Sequence, residues 1–350
     1  MSSGTMRALT ISEHGGLEKL EVRDDVPIPA LGAPDDVRVR VMAGALNHLD
    51  LFVVRGLPGV TITPRWVLGA DATGVVESVG SAVGTVRAGD TVIINPGISD
   101  RTCDYCRAGE QPLCPRFGLL GEHHPGTFGE YAVVPAPNVR VIPASIPAEV
   151  AAAFTLVTLT AWRMVVSRAR VGPDDDVLIR GIGGGVALAA LQIVKQIGAR
   201  AWVTSGSDAK LERARSLGAD ETINHRTHDV AREVRARTGK RGVSVVLDSI
   251  GPATWSSSLG SLGRGGRLVT CGGTSGSMVE TDVRRLFWNQ WTIMGSTMGN
   301  DSEFDAIAEE LRAGRLTPPV DRVFPLASAG DAFERLAAGE QFGKLVLRIG

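Results

Sequence analysis

The chain has 350 residues, of which 43% are hydrophobic and 21% charged, and its 37 basic and 38 acidic side chains give a formal net charge of −1. This composition is typical of a globular protein with room for two domains, and it excludes a largely disordered or fibrous chain. The near-zero net charge provides no global field that would attract nucleic acid or an anionic membrane.

The first 135 residues predict a β-rich domain with frequent turns. Residues Val37–Val41 alternate apolar and basic side chains with a period of two, which is typical of a half-buried strand. Further strand-forming runs are Thr73–Val79, Thr91–Ile94 and Tyr131–Val134. Short strands separated by many turns favour a partly open antiparallel β-barrel.

From about residue 148 the pattern changes to helices that alternate with short apolar strands. The predicted helices are Glu149–Arg168, Val186–Ile197 and Ala209–Leu217, and the predicted strands are Val177–Ile179, Ala201–Thr204, Val243–Leu247 and Arg267–Thr270. Gly198 and Gly218 follow two of these helices, as expected at helix C-termini. The alternation predicts an α/β domain with a doubly wound parallel sheet, and the chain closes with a strand over Lys344–Ile349.

A glycine-rich turn joins the first strand of this region to the helix that follows. It contains Gly181, Gly183, Gly184 and Gly185 and leads into Val186. Glycines allow a sharp turn and close approach to a pyrophosphate, and the start of the helix offers free N–H groups. The placement between a strand and a helix predicts a dinucleotide-binding loop.

The end of the second strand indicates which dinucleotide is bound. A site for NADH usually has an acidic residue here, whereas this chain has Ser205 and Ser207, followed by Lys210. Small hydroxyl groups and a nearby cation suit a 2′-phosphate, so the sequence favours NADPH over NADH. In the alternative, Asp208 takes the acidic role, but its position is better suited to opening the next helix.

Several motifs, in order along nearly the whole chain, resemble the medium-chain dehydrogenase/reductase superfamily and, within it, the quinone-reductase-like branch. The matching segments are Asn47–Asp50, Leu68–Asp71, Gly126–Tyr131, Thr160–Trp162, Gly181–Ala187 and Phe342–Lys344. The set is specific for fold and cofactor class and much less specific for substrate. The resemblance implies that Lys344 is among the cofactor-binding residues.

The same resemblance implies the domain organisation. A GroES-like catalytic domain with a partly open barrel would comprise residues 1–155 and 298–350, and a Rossmann NADP(H)-binding domain would comprise residues 156–297. The substrate cleft is expected at their junction. Members of the family commonly form dimers by pairing sheets edge to edge, which places a homodimer contact near Trp291–Ser296 in this chain.

Relatives in this family carry two zinc sites, and only one set of ligand positions is suitable here. The catalytic positions are Asn47, Ala70 and Leu156, none of which has a usual zinc ligand, so we expect no catalytic zinc.

The other site is a loop with four cysteines in relatives, and this chain has Asp100, Cys103, Cys106 and Cys114 at the same spacing. These residues either bind one structural zinc ion through a carboxylate and three thiolates, or form a metal-free loop with three free thiols.

The resemblance also assigns residues to the chemistry. Asn47 and Asp50 are placed beside the nicotinamide, where Asn47 would donate an amide N–H to a substrate oxygen and Asp50 would either fix the local geometry or take part directly. Glu122 and His123 occupy positions that line the substrate pocket in relatives. His123 is therefore a candidate proton donor, while the alternative places both side chains in solvent.

These observations favour an NADPH-dependent reductase that acts without catalytic zinc on a small apolar conjugated carbonyl: a quinone, enone or enal. The alternatives are an alcohol dehydrogenase or aldehyde reductase with a rearranged polar site, and a low-turnover NADPH-binding sensor. The N-terminus has no apolar signal segment, and the apolar stretch Val150–Trp162 is too short to span a bilayer. We therefore expect a cytoplasmic enzyme with no membrane or nucleic-acid partner.

Overall fold

The computed structural model describes residues 4–350 and divides into two compact units. The first unit consists of Met1–Leu156 and Gly299–Gly350, and the second of Val157–Met298. Each unit has its own main sheet and its own apolar core.

The helices and strands have the following bounds. The strands are β1 (Thr5–Ile11), β2 (Glu21–Pro27), β3 (Asp36–Ala45), β4 (Trp66–Val67), β5 (Asp71–Val79), β6 (Thr91–Ile94), β7 (Gly97–Ile98), β8 (Gly118–Leu119), β9 (Tyr131–Pro135), β10 (Val139–Val141), β11 (Asp176–Ile179), β12 (Arg200–Ser205), β13 (Glu221–Asn224), β14 (Val243–Asp248), β15 (Leu262–Thr270), β16 (Thr292–Gly295), β17 (Val320–Pro325) and β18 (Lys344–Arg348). The helices are α1 (His48–Arg55), α2 (Asp104–Arg107), α3 (Ala148–Ala152), α4 (Thr155–Trp162), α5 (Gly185–Ile197), α6 (Asp208–Ser216), α7 (Val230–Arg237), α8 (Pro252–Ser261), α9 (Val283–Asn289), α10 (Asp301–Arg312) and α11 (Ala329–Ala337).

The first unit is organised around the long strand β3. This strand pairs antiparallel with β5, β9 and β18, within a sheet of order β10-β6-β5-β3-β18-β17. Val37, Val39 and Val41 are buried while Arg40 is exposed, which confirms the predicted alternation. The sheet is not a closed barrel, and its β17–β18 pair is parallel, an exception to the antiparallel pattern that the sequence predicts.

The second unit contains the predicted doubly wound sheet. Its strand order is β13-β12-β11-β14-β15-β16 and every neighbouring pair is parallel, which is the order of a dinucleotide-binding Rossmann domain. Helix α5 ends at the predicted Gly198. The apolar strands are buried as expected for a parallel sheet covered on both faces.

The single helix predicted over Glu149–Arg168 is interrupted. Helix α3 ends at Ala152, α4 begins at Thr155, and a π-helical segment covers Arg163–Arg168. The backbone N–H of Leu156, in the first turn of α4, donates to the Asp71 carboxylate at 2.8 Å. Among residues 4–350, no helix is both long and apolar enough to cross a bilayer.

Candidate active site

Three neighbouring strands of the first unit bring an ion pair to one end of the sheet. Asp71 begins β5 and lies opposite Ala45 at the end of β3, Asn47 follows β3, and Lys344 begins β18. Gly343 precedes Lys344 with a φ of 115°, and a Cβ atom at this glycine would lie 2.3 Å from a backbone oxygen. Only glycine therefore lets the chain enter β18 at this point.

The three side chains form one buried hydrogen-bonded cluster, the Lys344–Asp71–Asn47 cluster. The Lys344 ammonium donates to Asn47 Oδ1 at 2.5 Å and to Asp71 Oδ2 at 3.1 Å. Asn47 Nδ2 also donates to Asp71 Oδ2, at 3.0 Å. The side chains of Lys344 and Asp71 are 4% and 0% exposed, so the charges are almost fully removed from water and depend on each other.

The hydrogen bonds within the cluster determine which of its groups can still donate to a substrate oxygen. Both amide N–H bonds of Asn47 already donate, one to Asp71 and one to the Ala45 carbonyl. An ammonium has three N–H bonds, and the two acceptors given above leave one of those of Lys344 for a ligand. Lys344 is therefore better suited than Asn47 to donate a hydrogen bond to the substrate oxygen, the role predicted for Asn47. The sequence analysis had placed Lys344 among the cofactor-binding residues.

Asp50 lies directly beside this cluster at the start of helix α1. Its carboxylate accepts the backbone N–H of Asn47 at 2.7 Å, so it fixes the geometry of the turn that carries Asn47. Asp50 is only 1% exposed, and burial raises the pKa of its carboxyl to about 7, although hydrogen bonds and Lys344 act in the opposite direction. The neighbouring His48 was not singled out from the sequence; desolvation and the charges of Lys344 and Arg55 lower its pKa.

The three positions that the family resemblance assigns to a catalytic zinc ion converge on this cluster. Asn47 takes part through its side chain, Leu156 through its backbone N–H to Asp71, and Ala70 immediately precedes Asp71. Ala70 and Leu156 offer no side-chain ligand atoms, and a buried cation already bonds both Asn47 and Asp71. These side chains do not fit a catalytic zinc ion.

The predicted pair Glu122 and His123 lies on a turn between β8 and β9. The side chain of Glu122 is 14% exposed and that of His123 is 44% exposed, with Glu122 Oε2 3.8 Å from His123 Nδ1. The backbone N–H of Leu119 donates to His123 Nδ1 at 3.3 Å, which leaves the other ring nitrogen to carry an exchangeable proton. Burial raises the pKa of the Glu122 carboxyl.

The cysteine loop of the first unit brings four candidate metal ligands together. One ligand atom from each of Asp100, Cys103, Cys106 and Cys114 lies within 4.8 Å of the others. In the chain from residue 4 to 350 no other group of three or more His, Cys, Asp or Glu side chains has this arrangement. One carboxylate and three thiolates are a suitable donor set for a structural zinc ion.

Backbone groups around the loop favour negative charge on its ligands. The Cys114 sulfur accepts N–H groups from Asp100 at 3.4 Å and Arg116 at 3.3 Å. The N–H groups of Cys103 and Thr102 hold the pKa of the Asp100 carboxyl well below its usual range. Burial, together with the neighbouring thiols, raises the pKa of Cys106 to about 11, so a bound cation would provide the counter-charge that its thiolate lacks.

The glycine turn of the second unit has the geometry that its sequence predicts. Gly181 and Gly183 have positive φ angles of 69° and 117°, Gly184 caps helix α5, and Gly185 begins it. The first backbone N–H groups of this 13-residue helix are therefore available to a phosphate. Val186 lies in the first turn of the same helix.

The second strand of the sheet ends at the predicted ribose-binding residues. Ser205 is 6% exposed and its hydroxyl accepts the N–H of Ser207 at 3.2 Å. Ser207 caps helix α6 and accepts the N–H of Lys210, while Asp208 is its first residue and accepts the Asn224 side chain at 2.8 Å. Asp208 thus opens the helix, which is the position that the sequence favoured.

Comparisons with known proteins agree with this architecture. The family model of the alcohol dehydrogenase GroES-like domain matches residues 33–144, and that of zinc-binding dehydrogenases matches residues 185–313. A NAD-dependent alcohol dehydrogenase of Sulfolobus acidocaldarius is 30% identical over 98% of this chain and 100% of its own. A quinone oxidoreductase of Homo sapiens is 27% identical, with 98% of both chains covered.

A solved structure is similar over the whole chain. The crystal structure of a NAD-dependent alcohol dehydrogenase superposes with a TM-score of 0.93 at 44% identity, covering 99% of this chain and 100% of the other. Fold, glycine turn and relatives together define an oxidoreductase that uses a nicotinamide cofactor. The chain belongs to the medium-chain dehydrogenase/reductase superfamily, among its zinc-type alcohol dehydrogenase-like members.

The raised pKa of Asp50 predicts a pH-dependent stability. The folded carboxyl titrates at about 7 instead of 3.8, so its contribution to stability is lost as the pH rises between these values. Asp50→Asn keeps an acceptor for the Asn47 N–H and does not titrate. Its melting temperature relative to the wild type should therefore be higher at pH 8 than at pH 5. The exposed Asp331→Asn is the control, and an equal difference for Asp50→Asn at both pH values would contradict the assignment.

Proposed function

We propose that the protein is an NADPH-dependent reductase that transfers hydride to a conjugated carbonyl (a quinone, enone or enal) without a catalytic metal. The observation that carries this proposal is the Lys344–Asp71–Asn47 cluster. A fixed cation takes part in the cluster on which the metal-ligand positions of relatives converge. Conjugated carbonyls suit such a site because the negative charge that develops on reduction is spread over several atoms, and a hydrogen-bond donor can then stabilise it.

Each residue of the cluster has a distinct role in this proposal. NADPH, when bound, supplies the hydride. The third N–H of Lys344 donates to the substrate oxygen as it gains negative charge, and Asp71 and Asn47 hold the ammonium in place. Asp50 positions Asn47 through its backbone N–H. An enone or enal then takes up one proton at carbon, and a quinone takes up one proton on oxygen.

The proposed preference for NADPH is supported by the end of strand β12. This strand ends in Ser205 and is followed by Ser207, and neither is the acidic side chain that usually binds the ribose of NADH. The nearby Asp208 carboxylate accepts a hydrogen bond from the Asn224 side chain. The similar crystal structure is described as NAD-dependent. NADH is therefore the competing cofactor in every assay of this proposal.

The cysteine loop is proposed to hold one structural zinc ion. The ligands would be Asp100, Cys103, Cys106 and Cys114, and the site would be closed to substrate because all four positions are filled by protein. Such an ion would stabilise the loop and would take no part in hydride transfer.

A homodimer is proposed through the second unit. Strand β16 forms one edge of the parallel sheet, so within residues 4–350 no further strand pairs with its outer N–H and C=O groups. Helix α9, immediately before this strand, exposes Val283, Phe287 and Trp288 by 65%, 61% and 71%. Pairing of two such edges would satisfy the backbone groups and cover the apolar side chains.

Alcohol oxidation is the second candidate function, favoured by the similarity to the crystal structure of a NAD-dependent alcohol dehydrogenase. Lys344 would then stabilise the alkoxide in place of the carbonyl oxyanion. Oxidation of NADPH and NADH with a quinone, an enone and an aldehyde, beside reduction of NADP⁺ and NAD⁺ with alcohols, separates the two functions. Tight NADPH binding with no turnover on this panel would instead indicate a cofactor-binding sensor.

Removing the ammonium should remove most of the catalysis. Lys344→Met should lower kcat by roughly 10²–10³-fold, the typical effect of losing one oxyanion donor. The single variant leaves the Asp71 charge buried without a counter-ion, which destabilises the fold by itself. The double variant Lys344→Met with Asp71→Asn removes both charges and is the matched control. Recovery of wild-type kcat in the folded double variant would show that the ion pair has only a structural role.

Loss of a loop ligand should affect metal content and stability rather than chemistry. Cys106→Ser should reduce bound zinc and lower the melting temperature, because a ligand that binds only the folded state stabilises it. Cys271→Ser should change neither quantity. Metal analysis and thermal unfolding of the two variants test this. Two zinc ions per wild-type chain, or no change in zinc for Cys106→Ser, would overturn the assignment.

His123 remains the predicted proton donor. His123→Ala should lower kcat by up to roughly 10²–10⁴-fold with an enone, and less with a quinone, whose product takes protons easily from water. One limb of the kcat–pH profile should disappear and NADPH affinity should not change. The exposed His228→Ala is the control. If His48→Ala shows the loss and His123→Ala does not, the proton comes from the start of helix α1.

A further inference from the structure

Arg101 lies inside the cysteine loop and has an uncommon backbone conformation. Its φ of 57° falls in the left-handed region, which favours glycine over residues with a Cβ atom. It directly follows Asp100, whose Oδ1 accepts the backbone N–H groups of Thr102 and Cys103, both at 2.9 Å. This carboxylate closes a tight turn around Arg101. A large side chain in such a conformation indicates that the side chain is needed at this position.

The side chain of Arg101 binds a helix from the C-terminal part of the chain. Nη1 donates to Asp301 Oδ2 at 2.6 Å and Nη2 donates to Asp301 Oδ1 at 3.3 Å, so the two groups form a bidentate ion pair. Nη2 also donates to Asn138 Oδ1 at 3.4 Å. The side chains of Arg101 and Asp301 are 26% and 29% exposed, so water screens the pair only in part. Asp301 is the first residue of helix α10.

A second contact joins the cysteine loop to the same helix start. The side-chain oxygen of Gln111 accepts the backbone N–H of Asp301 at 3.4 Å. The Nε2 atom of Gln111 donates to the carbonyl of Cys106, also at 3.4 Å. Gln111 lies between Cys106 and Cys114 in the chain. Both contacts therefore begin among the candidate metal ligands and end at Asp301.

The later turns of helix α10 are held by a different part of the first unit. Asp305 accepts a charge-assisted hydrogen bond from Arg140, and Arg312 donates to the Val141 carbonyl at 2.9 and 2.8 Å. The cysteine loop thus bonds the first turn of α10, while strand β10 bonds its middle and its end. The first turn comes directly after Gly299, where the chain re-enters the first unit.

We propose that the Arg101–Asp301 ion pair couples metal binding in the cysteine loop to the start of helix α10. The inference rests on the structural zinc ion of the proposed function and gives that ion a second task. A bound ion would fix the loop at Asp100 and Cys106, from which the two contacts to Asp301 begin. It would therefore brace the point at which the chain re-enters the first unit. By linkage, the contacts at Asp301 should in turn strengthen zinc binding.

Hydrogen exchange of the zinc-loaded and the chelated wild type tests the coupling within one helix. Removal of the ion should accelerate exchange at the amides of Phe304 and Asp305 about 3- to 10-fold, the range that one partly exposed ion pair controls. The amides of the last turn, near Arg312, are the internal control and should not change. In Arg101→Met, exchange in the first turn should be fast with and without zinc. Exchange in the wild-type first turn that ignores zinc would overturn the proposal.

Zinc affinity, measured by competition with a chromophoric chelator, tests the coupling in the other direction. Asp301→Asn lies outside the cysteine loop and removes no metal ligand, yet it should weaken zinc binding about 3- to 10-fold. Asp305→Asn is the matched control, because its partner Arg140 lies outside the loop, and it should bind zinc as the wild type does. Wild-type zinc affinity in Asp301→Asn would overturn the coupling and leave the zinc site intact. A wild type that binds no zinc would overturn the site itself, and the coupling with it.

Discussion

The buried ion pair between Lys344 and Asp71 is the interaction on which the first unit depends. Each charge would be strongly unfavourable in this environment without the other, and Asn47 completes the hydrogen bonds of both. The pair joins the first residue of β18 to the first residue of β5, and through Asn47 it reaches the end of β3. It therefore couples the C-terminal strand of the chain to the turn that opens helix α1.

Lys344 has an anionic partner, so its position is set before any substrate arrives. Preorganisation suits a group that must stabilise charge during a reaction, because no reorganisation is then needed.

Much of the fold could be predicted because it depends on local patterns. The alternation Val37–Val41 and the glycine turn at Gly181 specify a half-buried strand and a strand-to-helix connection from neighbouring residues alone. The interruption of the helix after Ala152 could not be predicted in this way. It depends on the carboxylate of Asp71, which is distant in sequence and accepts the N–H of Leu156.

The same limit applies to the sites. The spacing of the loop cysteines could be read directly from the sequence, and in the structure these candidate ligands lie close together. That Lys344 bonds Asn47 follows from the pairing of β18 with β3, which joins opposite ends of the chain, and a motif at Phe342–Lys344 contains no such information.

Whether a fixed ammonium replaces a catalytic metal is tested most directly by the absorption spectrum of the cobalt-substituted enzyme during turnover. Cobalt(II) reports the ligands around it, and a catalytic ion would change its surroundings when substrate binds. We expect at most one cobalt ion per chain, bound by the cysteine loop, with a spectrum that cofactor and substrate leave unchanged. A second cobalt ion whose absorption bands shift when the carbonyl substrate is added would contradict it.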